Sequence, residues 1–220
     1  MDLDLNRYLP QLIAVSIMLL VGFPVHEFSH ALAAYRLGDS TAKHMGRLTL
    51  DPRVHLDPLG SILLFVTFVF TSIGFGWAKP TPYNPMNLEG GRWGEAIVGV
   101  AGPISNLIMA VAAALPARYL LANPELAVQV PSIVLLALDS FIFLNLVLML
   151  FNLLPIPPLD GSKVLFALLP PQTAWRYRPI LEQYGFVLLL LIFFLPPGGS
   201  IGAQVIGPVL DGLYGLLVGI

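Results

Sequence analysis

Three residues able to do chemistry stand within one short run, His26-Glu27-Phe28-Ser29-His30. On an α-helix, residues four apart lie about 40° apart around the axis and about 6 Å along it, so both imidazoles can reach one ion. Glu27 lies about 100° round from His26. It can sit beside such an ion and hold its water without being a ligand. A metal with a water held beside it is an arrangement suited to metal-assisted hydrolysis. The pattern is short, and in an ordinary soluble sequence a chance match is the stronger reading. Here it ends an apolar run, since Tyr8 to Val25 carries no acidic or basic residue. Two histidines and a glutamate at that place are costly in lipid unless paired or metal-bound, so the setting favours a metal site.

A catalytic zinc takes three protein ligands and keeps a position for water. The chain has no cysteine, which removes thiolate ligands, thiol catalysis and disulfides and leaves His, Asp and Glu. The other histidines, His44 and His55, lie in the polar segment after the first apolar run, and either could ligate. His55 stands among Asp51, Arg53 and Asp57 and reads more simply as a solvated or hydrogen-bonded loop residue. Asp160 is the better candidate. It closes the run Asn152-Leu153-Leu154-Pro155-Ile156-Pro157-Pro158-Leu159-Asp160-Gly161, whose prolines halt a long apolar helix near the depth of His26 and His30. Irregular backbone at that depth is tolerated only where protein or a water cavity surrounds it. An Asp-Gly pair alone would be an ordinary turn.

With these runs in view, the chain resembles the site-2 proteases, the M50 family of membrane-embedded zinc metalloproteases. The resemblance rests on His26–His30, on Asn152…Pro155…Asp160-Gly161, and on Gly102-Pro103-Ile104-Ser105-Asn106 at the start of the helix between them. It spans the chain from about residue 9 to about residue 165. It implies an intramembrane zinc metalloendopeptidase in which His26, His30 and Asp160 hold one Zn2+ per chain and Glu27 is the general base. Asn106 and Asn152 match the family's polar residues near the site and are expected to serve catalysis. Asn152, and less directly Asn145 on nearly the same helix face, could donate to a developing oxyanion. For Asn145, interhelical hydrogen bonding is the stronger reading. Larger members carry a periplasmic peptide-binding or a cytoplasmic nucleotide-sensing module. The chain is expected to be a minimal core without either, gated by its own segments, by partners or by prior trimming of the substrate.

The elements that must position these residues follow from hydropathy. Of 220 residues, 56% are hydrophobic and 11% charged, against about a quarter charged in soluble domains. The chain reads as one all-α, multi-pass membrane domain over residues 1–220, with about five to six transmembrane helices of about 20 apolar residues each. Helix one covers Leu9 to Leu37, with a kink expected at Gly22 and Pro24. Its acidic start and the lack of a small-residue cleavage site argue for a retained span over a signal peptide. Further spans are expected at Ala96–Ala117 and Pro131–Leu154. C-terminal helices are expected over 184–219, near Tyr184–Leu195 and Ile201–Val218, divided by Pro196-Pro197-Gly198-Gly199. Leu59 to Ile73 is short and suits a re-entrant element. Thr41–Leu50 and Gly76–Tyr83 carry strand formers, with Pro80 and Pro82 suggesting an edge. Asp139, inside the third span, is expected to pair with a polar group on the outer side.

Lys and Arg orient the chain. Segments 38–57, 76–95 and 160–183 hold Lys43, Arg47, Arg53, Lys79, Arg92, Lys163, Arg176 and Arg178, whereas 119–130 has no Lys or Arg. The basic segments are therefore expected to be cytoplasmic, in a plasma membrane, with the active site nearer that side. A net charge of −2 without a basic stripe argues against nucleic acid. The expected partners are the bilayer and transmembrane protein or peptide substrates, which would pair with the strands at 41–50 and 76–83 by β-augmentation. The rival class is a metal or proton transporter with the His and Asp residues lining its path. Glu27 separates the two, because a transporter has no need of a base beside its first ligand.

Overall fold

A computed structural model describes residues 5–71, 76–194 and 201–219, and every element it contains is helical apart from one isolated bridge. Among the described residues, three helices are long and apolar enough to cross a membrane: Leu12–Arg36, Arg92–Ala122 and Ser132–Asn152. The protein is an all-helical membrane protein. The divider expected at 196–199 lies outside the described residues.

The first span is α1 (Leu5–Ile17), a π-helical stretch (Met18–Gly22) and α2 (Phe23–Arg36). Phe23 N–H bonds Met18 O, five residues back. Pro24 explains the widening: it has no N–H, and its ring would clash with the carbonyl four residues earlier. The irregular turn expected at Gly22 and Pro24 thus falls just before His26. Gly38, at φ 98°, ends the helix in the left-handed region.

Short helices α3 (Thr41–His44) and α4 (Pro52–His55) lead into α5 (Pro58–Thr71). The chain before α5 is tied to the chain after it. Glu89 N bonds Leu37 O at 2.8 Å, and Lys79 N bonds His55 O at 2.8 Å. Arg47 Nη2 donates to the Lys79 and Pro80 carbonyls, both at 3.3 Å. Buried Asp39 accepts from Asn84 N and Asn87 Nδ2.

The expected strands are not present among the described residues. Thr41–His44 is a helical turn, because the Asp39 carboxylate accepts from Thr41 N and Oγ1 and winds the chain there. Only the antiparallel bridge Leu56↔Ala78 forms in the second stretch. Pro80 and Pro82 lack the N–H groups a ladder needs.

Helix α6 (Arg92–Ala122) is the central element, packed on α8 (Ser132–Asn152), α2 and α9 (Gly161–Leu168); α7 (Pro124–Ala127) joins α6 to α8. Its distal half meets α8 and α11 (Ile201–Val218) through Ala110, Ala114, Ile142, Leu146, Met149, Leu210 and Val218. There Tyr214 donates to Asp139, the polar partner expected for that charge. Helix α10 runs Pro171–Phe194 and starts well before the apolar stretch from residue 184. Its first half is polar and fixed by ion pairs, with Arg178 bidentate on buried Glu95 of α6 at 2.6 and 2.9 Å.

Candidate metal centre

Residues His26 and His30 point from one face of α2 toward α6, one turn apart, and both are buried. Their approach needs the small residues of α6. A Cβ built on Gly102 would stand 2.6 Å from His26 Nε2 and closer still to His30 Nε2, and one on Gly99 would meet the Asp160 carbonyl at 3.0 Å. Any side chain at 102 would occupy the space between the rings. Asp160 arrives from the other side. Helix α8 ends at Asn152, the proline-rich loop turns the chain back, and Asp160 sits at the start of α9, 7% exposed.

Three ligand atoms converge. His26 Nε2 and His30 Nε2 are 3.0 Å apart, and Asp160 Oδ2 lies 3.2 Å from the first and 3.1 Å from the second. His30 Nδ1 faces the Val98 carbonyl at 2.6 Å. A carbonyl only accepts, so Nδ1 carries a ring proton, and Nε2 is the atom His30 has left to offer a metal. His26 Nδ1 is likewise engaged, 2.6 Å from Asn106 Oδ1. A carboxylate oxygen and two imidazole nitrogens this close in a buried space are held together by a shared positive charge, a proton or a metal ion. Donors about 2.0–2.1 Å from a tetrahedral zinc stand about 3.4 Å from one another. The observed triangle therefore fits zinc after outward shifts of a few tenths of an ångström. Among the described residues this is the one group of three or more His, Asp or Glu side chains with that convergence.

Comparison with known proteins gives the family. The profile of peptidase family M50 matches residues 127–192. YwhC of Bacillus subtilis (strain 168), a protein named as a zinc metalloprotease, is 41% identical over 199 residues, covering 89% of this chain and 84% of YwhC. This chain belongs to peptidase family M50. Rip2 of Mycobacterium tuberculosis (strain H37Rv), also named as a zinc metalloprotease, is 36% identical over 178 residues, and the match covers 80% of the chain and 65% of Rip2. No solved structure matches the chain.

In this M50 peptidase the remaining candidates divide. Glu27 is half-buried; its Oε2 accepts from Thr81 N at 2.8 Å, and its backbone carbonyl accepts from Thr81 Oγ1 at 2.9 Å. Asn106 touches the His26 ring. Asn152 donates to Leu148 O at 3.0 Å and, among the described residues, makes no hydrogen bond to His26, His30 or Asp160. Neither loop histidine joins the cluster. His44 is exposed, whereas His55 is fully buried and donates from Nε2 to Thr49 O at 2.7 Å. Two neighbours escaped sequence reasoning. Lys163 holds Asp160 Oδ1 at 2.8 Å, leaving Oδ2 to the histidines, and its position one turn after Asp160 was a usable signal. Thr81 meets Glu27 across 54 residues of chain, and no local pattern announces that contact.

Proposed function

We propose that this M50 peptidase is an intramembrane zinc metalloprotease that hydrolyses peptide bonds in or near transmembrane segments of other membrane proteins. Zinc is the metal for which its relatives are named, and His26, His30 and Asp160 are its ligands, one ion per chain. The observation that carries this reading is the convergence of three buried ligand atoms at 3.0–3.2 Å, two from a helix long enough to span a bilayer and one from the loop that follows another. Zinc bound there supplies a Lewis acid that lowers the pKa of water to about 7 and polarises the scissile carbonyl.

The chain's own groups do the rest. Glu27 Oε2 is anchored by the Thr81 N–H, leaving Oε1 to take the proton of the attacking water and return it to the leaving amine. Val98 O and Asn106 Oδ1 hold the two rings in orientation. Lys163 occupies the second oxygen of Asp160. Asn152 is a candidate oxyanion donor once its amide leaves Leu148 O.

The site opens toward the cytoplasmic side in this reading. The run Gly76–Tyr83, beside Glu27, is the edge nearest the scissile bond. Helix α5 enters the bilayer and the chain after it comes back to the face it left, and the C-terminal helices add the further crossings of a five- to six-helix protein.

The test pairs zinc content with cleavage of a synthetic transmembrane peptide, for wild type and Glu27→Gln in detergent. The expected result is about one zinc per chain in both, cleavage by wild type alone, and at least a 100-fold lower rate in the variant, the scale of general-base catalysis. Wild type without zinc would sink the metal assignment. Equal cleavage by the two proteins would remove Glu27 as base.

A further inference from the structure

A side-chain amide has a direction only when something fixes which end is nitrogen. Here a backbone carbonyl fixes it. Phe141 O can only accept, so the Asn145 atom 2.8 Å from it is Nδ2. Asn145 Oδ1 therefore points across to α6, where Asn106 Nδ2 donates to it at 2.8 Å. Asn106 Oδ1 is left facing His26 Nδ1 at 2.6 Å. An oxygen there accepts, so Nδ1 donates and Nε2 is the nitrogen the neutral ring has left to bind a metal. The three bonds share one polarity, from His26 through Asn106 and Asn145 to Phe141. Both asparagines are 0% exposed, so bulk water cannot take the place of either partner.

We propose that Asn145, which does not touch the metal cluster, is a positioning residue that acts through Asn106 to hold His26 in its metal-binding tautomer. Without Asn145, the Asn106 amide is free to turn over and present Nδ2 to His26 Nδ1. That nitrogen must then accept, and the ring proton moves to Nε2, where it faces His30 and Asp160 and blocks a cation. The inference rests on His26 being a metal ligand.

The experiment measures zinc affinity by chelator competition on the full chain in detergent. Asn145→Leu is expected to weaken zinc binding about 10- to 100-fold, as removal of outer partners of ligating histidines does. Asn106→Leu, which removes the acceptor itself, is expected to weaken binding at least as much. The double variant Asn106→Leu/Asn145→Leu is expected to match Asn106→Leu alone, because Asn145 then has nothing to act through. A double variant that loses a further full factor of Asn145→Leu reduces Asn145 to packing and overturns the proposal, as does wild-type affinity in Asn145→Leu. Should Asn145→Leu fail to fold, Asn145→Ala carries the same test: a tenfold or larger loss of affinity that the Asn106→Leu background abolishes supports it, and wild-type affinity overturns it. Wild type without zinc would instead refute the ligand assignment beneath it.

Discussion

Asp39 sits just beyond the first span, fully buried, with its carboxylate taken by Thr41 Oγ1 at 2.6 Å, Asn84 N at 2.8 Å, Asn87 Nδ2 at 3.0 Å and Thr41 N at 3.3 Å. Burial is the largest single influence on this carboxyl and acts to raise its pKa. The hydrogen bonds from Thr41, Asn87 and Asn84 together outweigh it and hold the carboxyl below the usual carboxylate range. A folded pKa below the unfolded value of about 3.9 means that the stabilisation is present above about pH 4 and is lost as pH falls through the folded value. Wild type is therefore expected to lose thermal stability below about pH 4, with a shallower acid slope in Asp39→Asn. At pH 7 the variant is expected to be about 1–3 kcal/mol less stable. Superimposable melting curves of the two proteins across pH 3–7 in detergent would refute the assignment. Residues differ in how far sequence reveals them. His26 and His30 are legible from helical period alone, and Asp160 from the proline break that precedes it. Asn106 and Asn145 are visible as polar residues in apolar helices, but the bond joining them depends on the rotation of α6 against α8, which no local spacing encodes.

At the scale of elements, the stretch 77–83 does what its composition hides. Beta-branched and aromatic residues suggest a strand, yet its backbone is spent on other tasks. The Pro80–Thr81 peptide gives its carbonyl to Arg47 and its N–H to Glu27. Buried Arg47 behind that peptide adds a cation to the carbonyl end, which strengthens the N–H at the other end as a donor. The peptide thus aims the base. Thr81→Pro removes the N–H and is expected to lower cleavage about 10- to 100-fold, the scale of a misplaced catalytic group, with zinc content unchanged. Thr81→Ser, which keeps both donors, is expected to retain activity; equal cleavage by the proline and serine variants would count against the aiming role. Proline or any side chain at Gly76 would be a poor probe of the same segment, because a Cβ there collides with the Gly60 carbonyl and Leu64 of α5. Helices were the legible part of the fold, since long apolar runs in lipid have few alternatives. The short helical turns at 41–44 and 52–55 were not, because the Asp39 and Asp51 side chains create them by accepting from the backbone N–H two residues on, in competition with strand propensity.

For the whole molecule, the two sides of α5 decide how the chain threads the membrane. Fourteen helical residues span about 21 Å, short of a hydrocarbon core of about 30 Å, and the hydrogen bonds joining Leu37, Asp39, Arg47 and His55 to residues 79–89 hold the chain after α5 beside the start of that helix. If α5 returns to the face it left, α2 ends, α6 begins and α8 ends at one face, which also brings Asp160 to the depth of the histidines. The chain has no cysteine, so single cysteines at exposed Met45, Met86 and Val128, which are 63%, 90% and 87% exposed, are unique labels. In intact cells a membrane-impermeant maleimide is expected to react with Val128→Cys and to leave Met45→Cys and Met86→Cys unlabelled until the membrane is opened. Labelling of Met45 and Met86 but not Val128 would invert the orientation and keep the threading. Labelling of Met45 and Met86 from opposite faces would make α5 a crossing. The bonds from Asp39 to Asn84 and from Arg47 to Pro80 would then have to reach across a bilayer, which hydrogen bonds of 2.8 and 3.3 Å cannot do.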